Sequence, residues 1–288
     1  MGPLLAFVKL SRPHFLLGGA LLFALGSAGA GDIAWLEYAL GQAMVTSMQI
    51  TAHFVNEYAD REVDRGVDRR TMFSGGSGVL VSGDLKPEVA LRAAWASTTI
   101  GVILAAVVAV GSPLAAGVGL IALAVSWGYS MPPIRLLGTG WGELATSLVV
   151  VVAVPVIGWT VQQAPASVAL WWAIGILLPV HMAMMLAFEL PDIESDAAAG
   201  KRVLGVRLGE ARSGRLIAIM LVLAAVIAVI GVAVGGIAGG AAWAVAAGLI
   251  PALALLGAAR NRNYAAATLA AVSTLVVMAG VLVVVVAG

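Results

Sequence analysis

The sequence contains no cysteine, which excludes disulfides and thiolate metal sites and leaves the redox compartment unread. Charge is scarce as well: 11% of the residues are Asp, Glu, Lys or Arg, against about 25% in soluble domains, and 61% are hydrophobic. No basic tail or dense basic patch is present to meet nucleic acid, and a net charge of +1 is uninformative as a total. What is plentiful is apolar sequence, in runs of about 18 to 24 residues rich in Ala, Leu, Val and Gly. At 1.5 Å per residue such runs cross a hydrocarbon core of about 30 Å as helices, whereas barrel strands would alternate and be half as long. The expectation is an all-α integral membrane protein.

Nine transmembrane helices in a bundle around a central cavity are expected, at about 14–31, 34–55, 88–110, 113–130, 141–160, 167–188, 213–234, 238–257 and 264–287. Gly and Pro mark most of the breaks, as at Gly111-Ser112-Pro113 and Gln162-Gln163-Ala164-Pro165. With this division all 16 Lys and Arg residues fall before the first span or at the even-to-odd connections. By the positive-inside rule the N-terminus and those connections are cytoplasmic. Lys9 and Arg12 ahead of an apolar run that ends Ser27-Ala28-Gly29-Ala30 resemble a secretory signal, but the segregation of charge favours an uncleaved first helix. Residues 1–288 are read as a single transmembrane domain with two long polar connections, about 56–87 and 189–212, both cytoplasmic. Function is expected where these loops meet the membrane.

Asn56-Glu57-Tyr58-Ala59-Asp60-Arg61-Glu62-Val63-Asp64 follows directly on the second span. Residues four apart on a helix are rotated by only about 40°, so Asn56, Asp60 and Asp64 are expected to share one face. That face continues a polar stripe, Gln42, Thr46, Gln49 and His53, which cannot meet lipid cheaply and is expected to line an interior cavity. The sixth span repeats the device with His181, Met185, Phe188, Glu189, Asp192 and Asp196. An offset of 132 residues carries Asp60 onto Asp192, Asp64 onto Asp196, Arg69 onto Lys201 and Arg70 onto Arg202. Pro191 is expected to kink or restart the helix at Asp192.

Paired carboxylates suit a hard divalent cation, and Mg²⁺ commonly takes one or two of them together with substrate phosphates and water. His53 and His181 are isolated and fit hydrogen bonding better than ligation. Basic residues five and six positions after each Asp-x-x-x-Asp are placed to meet an anion held by that cation, for which diphosphate is the natural candidate; the alternative is anchorage to lipid headgroups.

These residues resemble the UbiA superfamily of intramembrane prenyltransferases. Asn56, Asp60 and Asp64 resemble its first motif, with Glu57 in place of the usual Asp. Asp192-Ile193-Glu194-Ser195-Asp196 followed by Gly200-Lys201-Arg202 resembles its second, and Tyr129-Ser130-Met131-Pro132-Pro133-Ile134-Arg135 and Arg12-Pro13-His14 look like further signatures. The resemblance covers the whole chain. It implies Mg²⁺ held by Asn56, Asp60, Asp64, Asp192 and Asp196, with Arg69, Tyr129, Arg135 and Lys201 at an isoprenyl diphosphate. It further implies transfer of the prenyl group to a lipophilic aromatic acceptor, with Tyr58, Tyr129 or Phe188 offering ring faces to a carbocation. Ser74-Gly75-Gly76-Ser77-Gly78 and Gly142-Glu143-Leu144 are most similar to the branch that prenylates 1,4-dihydroxy-2-naphthoate, which implies menaquinone biosynthesis in a prokaryotic cell membrane. By that reading the glycines form a mobile lid or meet phosphate, with a flexible linker as the alternative, and Glu143 positions or deprotonates an acceptor hydroxyl, with a simple interfacial charge as the alternative. Glu57 is open between ligation and a surface charge. A terpene cyclase shares the ionisation step and stays open at this point. A cation-coupled transporter is the third reading, although its carboxylates should sit near mid-membrane rather than at span ends.

Overall fold

The structure is a computed structural model describing residues 1–66, 70–165 and 167–288. All regular elements among these residues are helical. In chain order they are α1 (Pro3–Ser11), α2 (Leu16–Ser27), α3 (Trp35–Asp60), α4 (Pro87–Val108), α5 (Pro113–Ser130), α6 (Gly142–Leu148) and α7 (Val154–Val161). Then follow α8 (Val168–Glu189), two short helices α9 (Ile193–Ala198) and α10 (Leu204–Leu208), and the long α11 (Glu210–Ala233), α12 (Ala241–Arg260) and α13 (Tyr264–Ala287).

Eight helical stretches among the described residues are long and apolar enough to cross a membrane. Helix α3, with 26 residues, is also long enough, but the polar stripe from Gln42 to Asn56 keeps it outside that set. Large apolar side chains on the outer faces of α11 and α12, such as Val222, Val229, Ile250 and Leu253, are exposed. Such a surface requires a lipid solvent, and the chain is a multi-pass membrane protein.

One expected span is interrupted within its bounds, and two are interrupted just outside them. Helix α1 lies wholly ahead of the first expected span and stops at Arg12, whose φ of 51° turns the chain before Pro13. Pro155 has no N–H for the carbonyl four residues back, and the backbone just ahead of it, Val149–Ala153, widens into a π-helical turn joining α6 to α7. Leu190–Asp192 tightens into a 3₁₀ turn at Pro191 before α9, as the proline predicts.

Helix α2 packs on α7, α3 on α4 and α5, and α8 on α11 and α13. The α2–α7 crossing is closest at two glycines: a Cβ on Gly26 would lie 1.9 Å from the Pro155 carbonyl oxygen, and one on Gly158 would lie 2.3 Å from that of Phe23. Backbone cannot yield there, so Gly26→Ala or Gly158→Ala should lower stability by about 1–3 kcal/mol, read as reduced thermal stability in detergent.

Candidate active site

Helix α3 carries Asn56 and Asp60 on its last turn and ends there. Asp64 lies beyond it, in the 3₁₀ turn Val63–Gly66, so the three side chains do not ride one continuous helix. The Asp64 carbonyl accepts from the Arg70 guanidinium. All three nevertheless face the same cavity. Its volume is about 570 Å³.

The second motif enters from the other side. Asp192 ends the 3₁₀ turn and Asp196 lies on α9. After α9 the chain reverses through Gly200, at φ 72°, with Gly200 N–H donating to Ala197 and Lys201 N–H to Asp196, the two bonds of a Schellman turn. The reversal places Lys201 Nζ 3.5 Å from Asp60 Oδ2 and 3.3 Å from Asp196 Oδ1. One ammonium therefore joins the two aspartate motifs. Burial pulls Lys201 downward, but the charges of Asp60, Asp196 and Asp64 outweigh it and hold its pKa above the ordinary value. Asp64 is pushed up to about 7, first by burial and then by the charges of Asp60 and Glu57, against the opposing pull of Lys201 and Arg12.

Asn56 Nδ2 donates to Asp60 Oδ2 at 2.9 Å and to Ser130 Oγ at 3.3 Å, which leaves its carbonyl oxygen for a cation. Asp60 Oδ1 and Asp192 Oδ1 are buried without a hydrogen-bond partner. Among the described residues no three carboxylate or imidazole groups converge into a ready-made metal cage. Mg²⁺ does not require one, since phosphate and water complete its shell. Oxygen donors from two motifs, two of them unpartnered in a buried site, therefore fit that ion.

Glycines bring the polypeptide close to this cluster. A Cβ on Gly76, at φ 70°, would lie 2.0 Å from Asp64 Oδ2, and Gly75 lies beside Asp192. Beside the carboxylates stands an aromatic group: Phe73 and Phe188 stack at 5.6 Å, with Phe15 edge-on to both. Farther in, the lining is apolar, with Met48, Val125, Val150, Met184 and Leu275.

Of the other predicted residues, Tyr129 lines the cavity. Arg135 is exposed and is not among the cavity-lining residues described. Arg69 lies outside the described residues. Tyr58 does not line the cavity; its ring receives the Arg61 guanidinium instead. His53 bonds the Ser11 carbonyl and His181 the Ser147 hydroxyl, both through Nδ1. Glu143 is fully buried, accepts the Leu204 amide at 3.1 Å and does not line the cavity, so it is placed to hold backbone rather than to meet an acceptor. Sequence reasoning quoted Arg12 only as part of a signature, without a place at the site, and missed Phe73. The signal for Phe73 was a ring directly before the Ser-Gly-Gly run.

A model of the UbiA prenyltransferase family matches residues 16–279. The chain is 32% identical over 212 residues to a 1,4-dihydroxy-2-naphthoate octaprenyltransferase of Mycobacterium tuberculosis, covering 69% of this chain and 70% of that protein. It is 27% identical over 217 residues to the Bacillus subtilis protein of the same name, covering 73% and 68%. In fold it is similar to the apo structure of a UbiA homologue from Aeropyrum pernix, with a TM-score of 0.73 at 15% identity over 94% of this chain and 97% of that one. A UbiA homologue from Archaeoglobus fulgidus, bound to DMAPP and Mg²⁺, gives a TM-score of 0.68 at 19% identity over 96% and 98%. At these identities the structural likeness speaks for the fold alone.

Proposed function

The chain belongs to the UbiA prenyltransferase family, and from that premise we propose that it transfers a prenyl group from an isoprenyl diphosphate to an aromatic, quinone-precursor-like acceptor, in a Mg²⁺-dependent reaction that releases diphosphate. The observation that carries this reading is the cavity itself: an apolar volume capped by four aspartates and a lysine, with unpartnered oxygens on Asp60 and Asp192. The naphthoate octaprenyltransferase names of the relatives support the acceptor class. A cytoplasmic active end is supported by the segregation of Lys and Arg, and a prokaryotic cell membrane by the bacterial relatives.

Asp60, Asp64, Asp192 and Asp196, with the Asn56 carbonyl oxygen, would hold the ion. When bound, Mg²⁺ supplies Lewis-acid stabilisation of the charge on the departing diphosphate. Lys201 adds a compact cation beside the same oxygens, and Arg12 also faces the cavity. The rings of Phe15, Phe73 and Phe188 stand next to the carboxylates, where they exclude water and offer π faces to an allylic cation. The aliphatic lining beyond them accommodates an isoprenoid tail.

The test is a panel of prenyl diphosphates of several lengths with aromatic acceptors including 1,4-dihydroxy-2-naphthoate, read by mass spectrometry. Diphosphate release and an alkylated ring are expected only with Mg²⁺ and acceptor together. A cyclic hydrocarbon formed without acceptor would assign the chain to cyclisation instead.

A further inference from the structure

Not every acidic side chain at this end of the bundle faces the cation site. Glu57 is 3% exposed, and both its oxygens are engaged: Ser77 N–H donates to Oε1 at 2.6 Å and Ser77 Oγ to Oε2 at 2.7 Å, with Arg12 Nε 3.6 Å from Oε1. Glu189 makes the matching bond on the other loop, where Gly205 N–H donates to its Oε2 at 2.6 Å. The 132-residue offset that superposes the aspartate motifs also carries Glu57 onto Glu189. Each lies three residues before the first aspartate of its motif and binds the backbone of the loop that follows it.

We propose that Glu57 and Glu189 are a repeated pair of positioning residues, each latching its own loop over the aspartates, and that Glu57 is not a metal ligand. The latch at Glu57 holds Ser77 one residue from Gly76 and two from Gly75, the glycines that touch Asp64 and Asp192. The first loop thereby bridges both motifs. The latch at Glu189 fixes the segment after Lys201, whose ammonium must stay between Asp60 and Asp196. The inference deepens the proposed function, on which its catalytic consequence rests.

Ligand and latch respond oppositely to conservative substitution. Glu57→Gln keeps an acceptor for the Ser77 amide and gains a donor for Ser77 Oγ, so it preserves the latch while discarding the charge a metal ligand needs. Glu57→Asp keeps the charge but withdraws it by about 1.5 Å, beyond hydrogen-bond reach of Ser77. The experiment measures hydrogen exchange of the peptides containing Ser77 and Gly205, Mn²⁺ binding, and turnover, in the full-length protein in detergent. Glu57→Asp should speed exchange around Ser77 about tenfold and lower kcat with Mn²⁺ affinity within about twofold, whereas Glu57→Gln should change none of the three appreciably. Glu189→Gln should likewise leave exchange at Gly205 unchanged and Glu189→Asp should raise it. If Glu57→Asp fails to fold, Ser77→Ala removes one of the two bonds and should speed exchange several-fold.

Slow exchange in both Glu57→Asp and Ser77→Ala would overturn the latch. So would a tenfold loss of Mn²⁺ affinity in Glu57→Gln, which would make Glu57 a ligand. Exchange and Mn²⁺ binding need no substrate, so a wild-type protein that released no diphosphate would defeat the functional reading while leaving the latch to these two measurements.

Discussion

Asp60→Ala and Asp192→Ala should each reduce prenyl transfer by about 10²–10³-fold or more while the protein stays folded. The two carboxylates come from different motifs, and each has one buried oxygen with no donor in reach. Leaving such groups unpaired costs about 1–3 kcal/mol apiece, a cost that a fold alone gives no reason to retain. Removing Asp192 should therefore leave thermal stability in detergent without added metal nearly unchanged, since relief of the like charges of Asp196 and Asp64 is set against loss of its attraction to Lys201. Asp60 also meets Asn56 and Lys201, so its loss should cost more stability than that of Asp192. The decisive measurement pairs diphosphate release with unfolding temperature for each variant. Near-normal turnover in either would remove that carboxylate from the reaction, whereas inactivity with a collapsed unfolding transition would reassign it to the fold.

The helical membrane architecture was legible because it rests on length and apolarity, which a sequence carries directly. Its breaks were less so. Pro191 announced the turn before α9, but Pro155, equally visible, falls inside an apolar run where nothing local distinguishes a kink from a π-helical turn. The aspartates were legible through their four-residue spacing and its repetition. Their partners were not, because Lys201 reaches Asp60 only through a Schellman reversal at Gly200 and across two chain segments far apart in sequence. Glu57 shows the limit most sharply. It stands in a run of acids where spacing alone admits ligation, and only its contact with Ser77, twenty residues later, separates a latch from a ligand.

Lys201→Met should weaken prenyl diphosphate binding about 10–100-fold and, separately, destabilise the metal-free protein. Both effects follow from one geometry. The side chain is 9% exposed, and its ammonium lies within salt-bridge distance of Asp60 and Asp196. Without that charge, two buried carboxylates face each other uncompensated, and breaking a buried pair in this way costs about 3–5 kcal/mol. An added divalent ion could replace the missing charge, so the stability deficit should shrink on titration with Mg²⁺, as mass action on the folded state requires. The binding defect should persist in saturating Mg²⁺ if Lys201 serves as the proposed donor to the diphosphate, because the ion restores charge at the carboxylates but not that donor. The split is measurable as unfolding temperature against Mg²⁺ on one side and Kd for geranyl diphosphate at saturating Mg²⁺ on the other. If Mg²⁺ restored both, Lys201 would serve only as the counter-ion of the empty site. If it restored neither, the ammonium would be a structural group of the loop, held there by the turn at Gly200 rather than by the chemistry of the cavity.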